Sequence, residues 1–461
     1  MNKLFSVIII TIASNAISEP KVLDHLYEIS EPNSRIAERV ALVNATARNL
    51  ELAAASSSLQ ELIDDISIME GLSHIDQGKL LGNMAIISIA SGDYESGLLS
   101  IKKSIDLMEM SIKPFDPIYI QALIVKGIGA LAVDDFSNSK EAFRRAQHIL
   151  HREHGVFTLS QLPLIDYLSL NNLETGNFLY ADREQLFGVA IVKKEFGESS
   201  ESIIPRLMHA GNYFTQRAMT IPLITDPDSM TQRAFIMKSA REMYEQTIKI
   251  YENLYGKDSL KLVPPLRKLA RAKLNASMGR KSAGNDINRA LEISSAKPEI
   301  DPAELHAVKI ELADFYAITK DDRAAEQYIQ TWEEMQQTEF TKKLAEKYFE
   351  ETVRLYPPKI KHFSLDRRPD SAGDEEELYV DLEYDINNTG TVSRIRILHK
   401  NIPNDQARAV RQREKNTIYR PRISEGQLVA VEGNLLRQLF KVKKVDKTPQ
   451  KPSEEKESEA D

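Results

Sequence analysis

Three histidines, His148, His151 and His154, follow one another at steps of three, and two of them could share a helical face and hold a metal ion. The same residues suit the negative end of a helix dipole if they close a helix, so the sequence commits no residue to a metal. There is no cysteine, which excludes disulfides, thiol catalysis, zinc-thiolate sites and lipid attachment to cysteine. No Ser-His-Asp grouping or Gly-rich phosphate loop stands out, and 68 Asp and Glu residues are too many to single out an acid-base pair. The expectation is a protein that is not an enzyme, with no catalytic residue, no cofactor and no small-molecule substrate.

What remains is recognition. Arg408, Arg411, Arg413, Lys415, Arg420 and Arg422 form a basic cluster opposed only by Glu414. It reads as a solvated face, or as a surface for anionic lipid, peptidoglycan or an acidic loop. A net charge of −8 over 461 residues gives no global pull towards nucleic acid. With 42% hydrophobic and 28% charged residues, the chain can bury a large core, and its length calls for more than one unit.

The first residues read as a secretory signal: Lys3, an apolar run from Leu4 to Ala13, and small residues at Ser14, Ala16 and Ser18. The run is shorter than the roughly 20 apolar residues that span a bilayer, so cleavage after Ala16 or Ser18 is expected rather than an anchor. Residues 1–18 are assigned to the signal, and the chain is expected in the periplasm.

The elements that could present a recognition surface come from a repeat. From Gly92, the residues at offsets 5, 9 and 12 are Gly97, Ile101 and Ser104. Asp134 gives Ser139, Phe143 and Ala146; Gly176 gives Ala181, Gln185 and Gly188; Met278 gives Ala283, Ile287 and Ala290; Lys320 gives Ala325, Ile329 and Trp332. These offsets trace one helical face alternating small and large side chains, as close helix packing requires. Seven residues before the anchors stand Ala85, Gly127, Ser169 and Ala313, with Gly211 before a missing anchor near Ala218. Only Arg271, seven before Met278, departs. Each unit is thus two helices crossing on small residues, repeating every 42 residues. Some 18 extra residues precede Met278, and the break they require is expected at Ile221 to Met230, with its two prolines.

The run Gly92-Asp93-Tyr94-Glu95, with small and aromatic residues at these offsets, resembles tetratricopeptide repeats in a longer variant. The resemblance covers about residues 35 to 355 and implies an α-solenoid whose concave face binds proteins or peptides.

After Pro357-Pro358 the pattern changes. Glu377 to Ile386 alternates as a strand, Asn387 to Gly390 makes a turn, and Thr391 to Leu398 returns. A short helix follows from Pro403 to Lys415, then a loop and a third strand from Leu435 to Val442. This order, with Gly390-Thr391-Val392, Tyr419-Arg420-Pro421 and the turn from Gly426 to Val429, resembles the C-terminal domain of TonB-type energy transducers. The resemblance implies an α+β (β-β-α-β) docking domain that takes a partner peptide as an added strand.

The fold is therefore read as mainly α: a solenoid over residues 19–355 with an insert near 220–230, a TonB-like domain at 357–445, and a charged disordered tail at 446–461. The function expected is a periplasmic adaptor or accessory of a TonB-type envelope transport system, binding proteins in the solenoid groove and an outer-membrane receptor segment by strand addition. Its partner-binding residues are Tyr419, Arg420, Pro421, Leu436, Gln438, Phe440 and Val442. A membrane-anchored energy transducer, or an envelope assembly scaffold with no receptor contact, stands beside that reading. Three strands also leave a free edge through which two copies could pair.

Overall fold

Four of the five repeat anchors lie in left-handed backbone between antiparallel helices. In the computed structural model, which describes residues 22–29, 34–68, 72–221, 227–276, 280–356 and 378–440, φ is +85° at Gly92, +61° at Asp134, +72° at Gly176 and +60° at Lys320. At each, the following N–H donates to the carbonyl five residues back: Asp93 to Ser88 (2.9 Å), Asp135 to Ala130 (2.9 Å), Asn177 to Asn172 (2.7 Å) and Asp321 to Tyr316 (2.9 Å). One helix is thereby closed with its last carbonyls satisfied. Asp93 and Asp135 then cap the next helix, accepting from Ser96 N–H and Asn138 N–H. Met278, the fifth anchor, lies outside the described residues, as do the expected signal at 1–18, Val442 and the tail at 446–461.

The chain divides into two units, residues 1–220 with 236–272, and residues 221–235 with 273–461. The first is a stack of helical hairpins. It comprises α1 (Ser34–Arg48), α2 (Leu52–Ile68), α3 (His74–Ala90), α4 (Tyr94–Glu109), α5 (Tyr119–Ala132) and α6 (Phe136–His154). It continues with α7 (Leu162–Glu174), α8 (Phe178–Phe196) and α9 (Ile204–Thr220), while α10 (Pro227–Tyr255) and α11 (Val263–Asn275) have residues in both units.

The small residues expected at the crossings are there for close approach. A Cβ on Gly127 of α5 would stand 2.4 Å from the Phe143 ring of α6. Ser169 donates to the Ala181 carbonyl at 3.2 Å, and a Cβ on Gly97 would meet the Ala85 carbonyl at 3.2 Å. Polar seams join successive hairpins. Arg206 of α9 bonds Asp166 of α7 at 2.8 Å and Gln185 of α8 at 3.1 Å, with His209 Nε2 3.4 Å from Asp166. Burial pushes the Asp166 carboxyl up, but His209 and Arg206 outweigh it and hold the group below the usual range.

One expectation is corrected. The break expected at Ile221 to Met230 is shorter, because α10 starts at Pro227; proline fits a first helical turn, whose N–H has no intrahelical acceptor. The extra length goes into α10, 29 residues long. A second repeat was also legible: Gly155, Gly197 and Gly256 each end a helix at φ near +80° (80°, 82°, 84°). They open GlyValPheThrLeuSerGlnLeuPro, GlyGluSerSerGluSerIleIlePro and GlyLysAspSerLeuLysLeuValPro, the turns between hairpins.

The second unit holds α12 (Arg280–Ser295), α13 (Pro302–Thr319), α14 (Arg323–Met335) and α15 (Glu339–Phe349). In α14 the buried face is Tyr328, Thr331 and Met335, one register away from the expected Ala325, Ile329 and Trp332. Tyr328 is drawn inward by its hydrogen bond to Asp314 of α13 (2.8 Å). The chain then forms β1 (Val353–Tyr356), β2 (Leu378–Ile386), β3 (Val392–Lys400), α16 (Asn404–Lys415), β4 (Ile418–Arg420), β5 (Arg422–Ser424), β6 (Gln427–Val429) and β7 (Val431–Phe440). The β-β-α-β order is present as β2, β3, α16 and β7, in an antiparallel sheet ordered β3-β2-β7. The stretch expected as a loop instead holds β4, which pairs with β1, and the β5-β6 hairpin. Strand β1 precedes the expected boundary at 357, and Ile423 and Leu428 pack with Tyr328, Trp332, Met335 and Phe349. The last helices therefore share a core with the β5-β6 hairpin, while β2, β3, β7 and α16 enclose another.

Candidate interaction site

Alternation along β2 sends Val380, Leu382, Tyr384 and Ile386 to one face, where they are buried with Ala407 and Val410 of α16. The opposite face carries Tyr379, Asp381 and Glu383. There Arg437 of β7 holds Asp381 through two bonds (2.6 and 2.7 Å), with its guanidinium 4.5 Å from the Tyr379 ring centroid. Arg396 of β3 holds Glu383. These cross-strand pairs fix the register of both outer strands.

The two outer edges differ. β3 is bulged twice against β2, and Arg394 has φ +43°, which twists that edge away from regular pairing. β7 pairs with β2 without interruption from Phe440 opposite Leu378 to Asn434 opposite Tyr384, and the register shifts only beyond that. Among the described residues no strand pairs with the other side of β7. Its outward side chains are Leu435, which is 73% exposed, Arg437 and Leu439.

The residues expected to meet a partner are distributed otherwise. Leu436 packs into the core under the sheet, and Gln438 accepts a hydrogen bond from Arg413 of α16 (2.5 Å). Phe440 pairs through its main chain; its side chain, like Val442, lies outside what is described. Tyr419 and Arg420, placed by the sequence on a partner-facing loop, are buried on opposite sides of β4. Tyr419 Oη donates to Glu414 at 2.6 Å and stands 2.8 Å from Tyr384 Oη. Burial, then the Glu414 charge, pushes its phenol well above the ordinary range. Arg420 forks onto Asp314 of α13, Nε to Oδ1 at 2.9 Å and Nη2 to Oδ2 at 2.6 Å. Burial disfavours its charge, but the Asp314 carboxylate outweighs that and holds the guanidinium more firmly protonated. Pro421 is buried where the chain leaves β4 for β5. A Cβ on Gly390 (φ +78°) would come within 2.0 Å of the Tyr419 carbonyl, so the hairpin turn needs its glycine there.

Sequence reasoning missed the cluster of Arg354, buried Arg413 and buried Glu414. Glu414 accepts from Arg354 as well as from Tyr419. The signal was its isolation: one carboxylate inside a basic run is a candidate internal partner. Of the histidines, His148 meets the Phe115 ring edge-on and His151 bonds Gln161. Among the described residues no three metal-ligating side chains converge.

Fold and site define a helical-hairpin repeat protein with a C-terminal α+β unit. No protein-family model matches the chain, and none of the curated proteins does. Among solved structures, BtubC (BKLC) from P. vanneervenii is 16% identical over 62% of this chain and 98% of its own, at a TM-score of 0.37. A protein of Podosopora anserina described as a kinesin light chain with nearly identical TPR-like repeats is 13% identical over 50% and 100%, at 0.38. The quorum sensor NprR from B. thuringiensis, in its apo form, is 9% identical over 65% and 87%, at 0.34. Likeness at this level carries no argument, and the repeat rests on the turns and crossings described above.

Proposed function

We propose that this chain is a non-catalytic protein-protein interaction scaffold whose C-terminal sheet takes up an extended segment of a partner along β7. The observation that carries the reading is the contrast between the edges: β3 is bulged, whereas β7 is regular, its outer side is unpaired among the described residues, and Leu435 and Leu439 flank it. Such an edge offers its free N–H and C=O groups as a template for another strand. The order β2, β3, α16, β7 supports the resemblance to TonB-type docking domains. With the signal-like N-terminus, it supports a periplasmic adaptor that binds an outer-membrane receptor segment, while the helical hairpins hold a second protein or peptide.

The test is a photo-cross-linking residue at Leu435, with Leu398 of β3 as the control. The reading expects a specific adduct from Leu435, mapped to an extended partner segment, and none from Leu398. Equal labelling at both positions sinks it.

A further inference from the structure

Arg413 of α16 is 8% exposed, yet among the described residues it forms no ion pair with a carboxylate. Glu414, its neighbour in sequence, is turned to Arg354 and Tyr419. Among the described residues the Arg413 side chain bonds Gln438 Oε1 of β7 through Nη2, and its buried Nε finds no acceptor. Burial, then repulsion from Arg354, outweigh the attraction of nearby Glu414 and bring its pKa down to about 10. Buried guanidinium groups ordinarily sit in carboxylate forks.

Gln438 stands opposite the fully buried Val380, on the α16 side of the sheet. A strand added outside β7 places one side chain directly across from Gln438, with the Cβ atoms about 5 Å apart. A Glu or Asp at that position reaches the guanidinium that already touches Gln438. We infer that Arg413 is a carboxylate subsite of the β7 edge, so that the partner is an extended segment whose acidic side chain faces α16 opposite Gln438. The inference rests on the β7 docking reading above. On the open face the same segment meets Leu435, Arg437 and Leu439, which favours apolar residues at its ends.

The test titrates the full chain with the blocked peptide Thr-Val-Thr-Val-Glu-Val-Thr-Val and with its twin carrying Gln for Glu, followed by the amide resonances of β7. The Glu peptide should bind about tenfold more tightly, one charge-assisted hydrogen bond against a neutral one. In the Arg413→Gln variant, which removes the charge, the two peptides should bind alike, and the unfolding midpoint should not fall. Equal affinity of both peptides for the unaltered chain, with β7 resonances shifting, overturns the carboxylate subsite and leaves the docking edge standing. A Glu preference that persists in Arg413→Gln overturns it too. If neither peptide moves β7 resonances, the docking reading itself fails and the subsite with it.

Discussion

Arg420 of β4 and Asp314 of α13, 106 residues apart in sequence, form a two-point ion pair in which both side chains are almost wholly buried. Tyr328 donates to the same carboxylate. The pair fastens β4 to α13, so Arg420 has its partner inside the chain. Asp314→Asn or Arg420→Met is expected to cost about 3–5 kcal/mol, because each leaves one buried charge without its partner. Chemical denaturation of the full chain, followed at a probe in the second unit, measures this. Replacing both residues with apolar side chains of similar volume should cost far less than the two single changes summed.

Glu414 and Arg413 are neighbours with opposite consequences. Glu414→Gln removes the carboxylate that Arg354 and Tyr419 share in a fully buried site, and a loss of about 3 kcal/mol is expected. Arg413→Gln removes a buried cation that forms no ion pair among the described residues, and stability should hold or rise slightly. Thermal melts of the two variants side by side decide it; a drop for Arg413→Gln as large as for Glu414→Gln would show that Arg413 acts structurally.

Gly127 tests the helical crossing. Since a Cβ there would stand 2.4 Å from the Phe143 ring, Gly127→Ala should destabilise the first unit by about 1–3 kcal/mol despite alanine's better helix propensity. Phe143→Leu in the same chain should recover part of the loss, which a double-mutant cycle reads directly.

How far the sequence reached follows from where each partner lies. The turns and crossings were legible because their determinants are local: Gly92 and Asp93 end one helix and begin the next within two residues, and Gly127 meets Phe143 only sixteen positions on. Tyr419 and Arg420 were misplaced because what holds them is distant. Alternation says that they face opposite ways, but nothing near them names Asp314 or Tyr384 as the groups they meet. Strand β4 went unread for the same reason, its partner β1 lying beyond α16 and two strands. In β7 the alternation was legible, but not which face packs on α16: Leu436 and Gln438 serve the α16 side, and Leu435 and Arg437 the open face.

Acid should weaken the first unit through Asp166. Its carboxyl is depressed in the folded state by His209 and Arg206 against the cost of burial, so it adds stability above the unfolded value of about 4. That contribution is lost as pH falls through the depressed folded value. Asp182 works in the opposite sense: burial raises it, and acidification relieves the penalty on its charged form. Asp166→Asn should flatten the acid limb of a stability-pH curve and Asp182→Asn should steepen it, both measured by urea unfolding of the full chain.

The most direct test of the account is residue-resolved hydrogen-deuterium exchange of β7 and β3, with and without the partner segment recovered by cross-linking at Leu435. Strand addition predicts new protection at alternate amides of Val431 to Phe440, those that point away from β2, with β3 amides unchanged. Protection on β3 alone, or none on β7 at saturating segment, would contradict it.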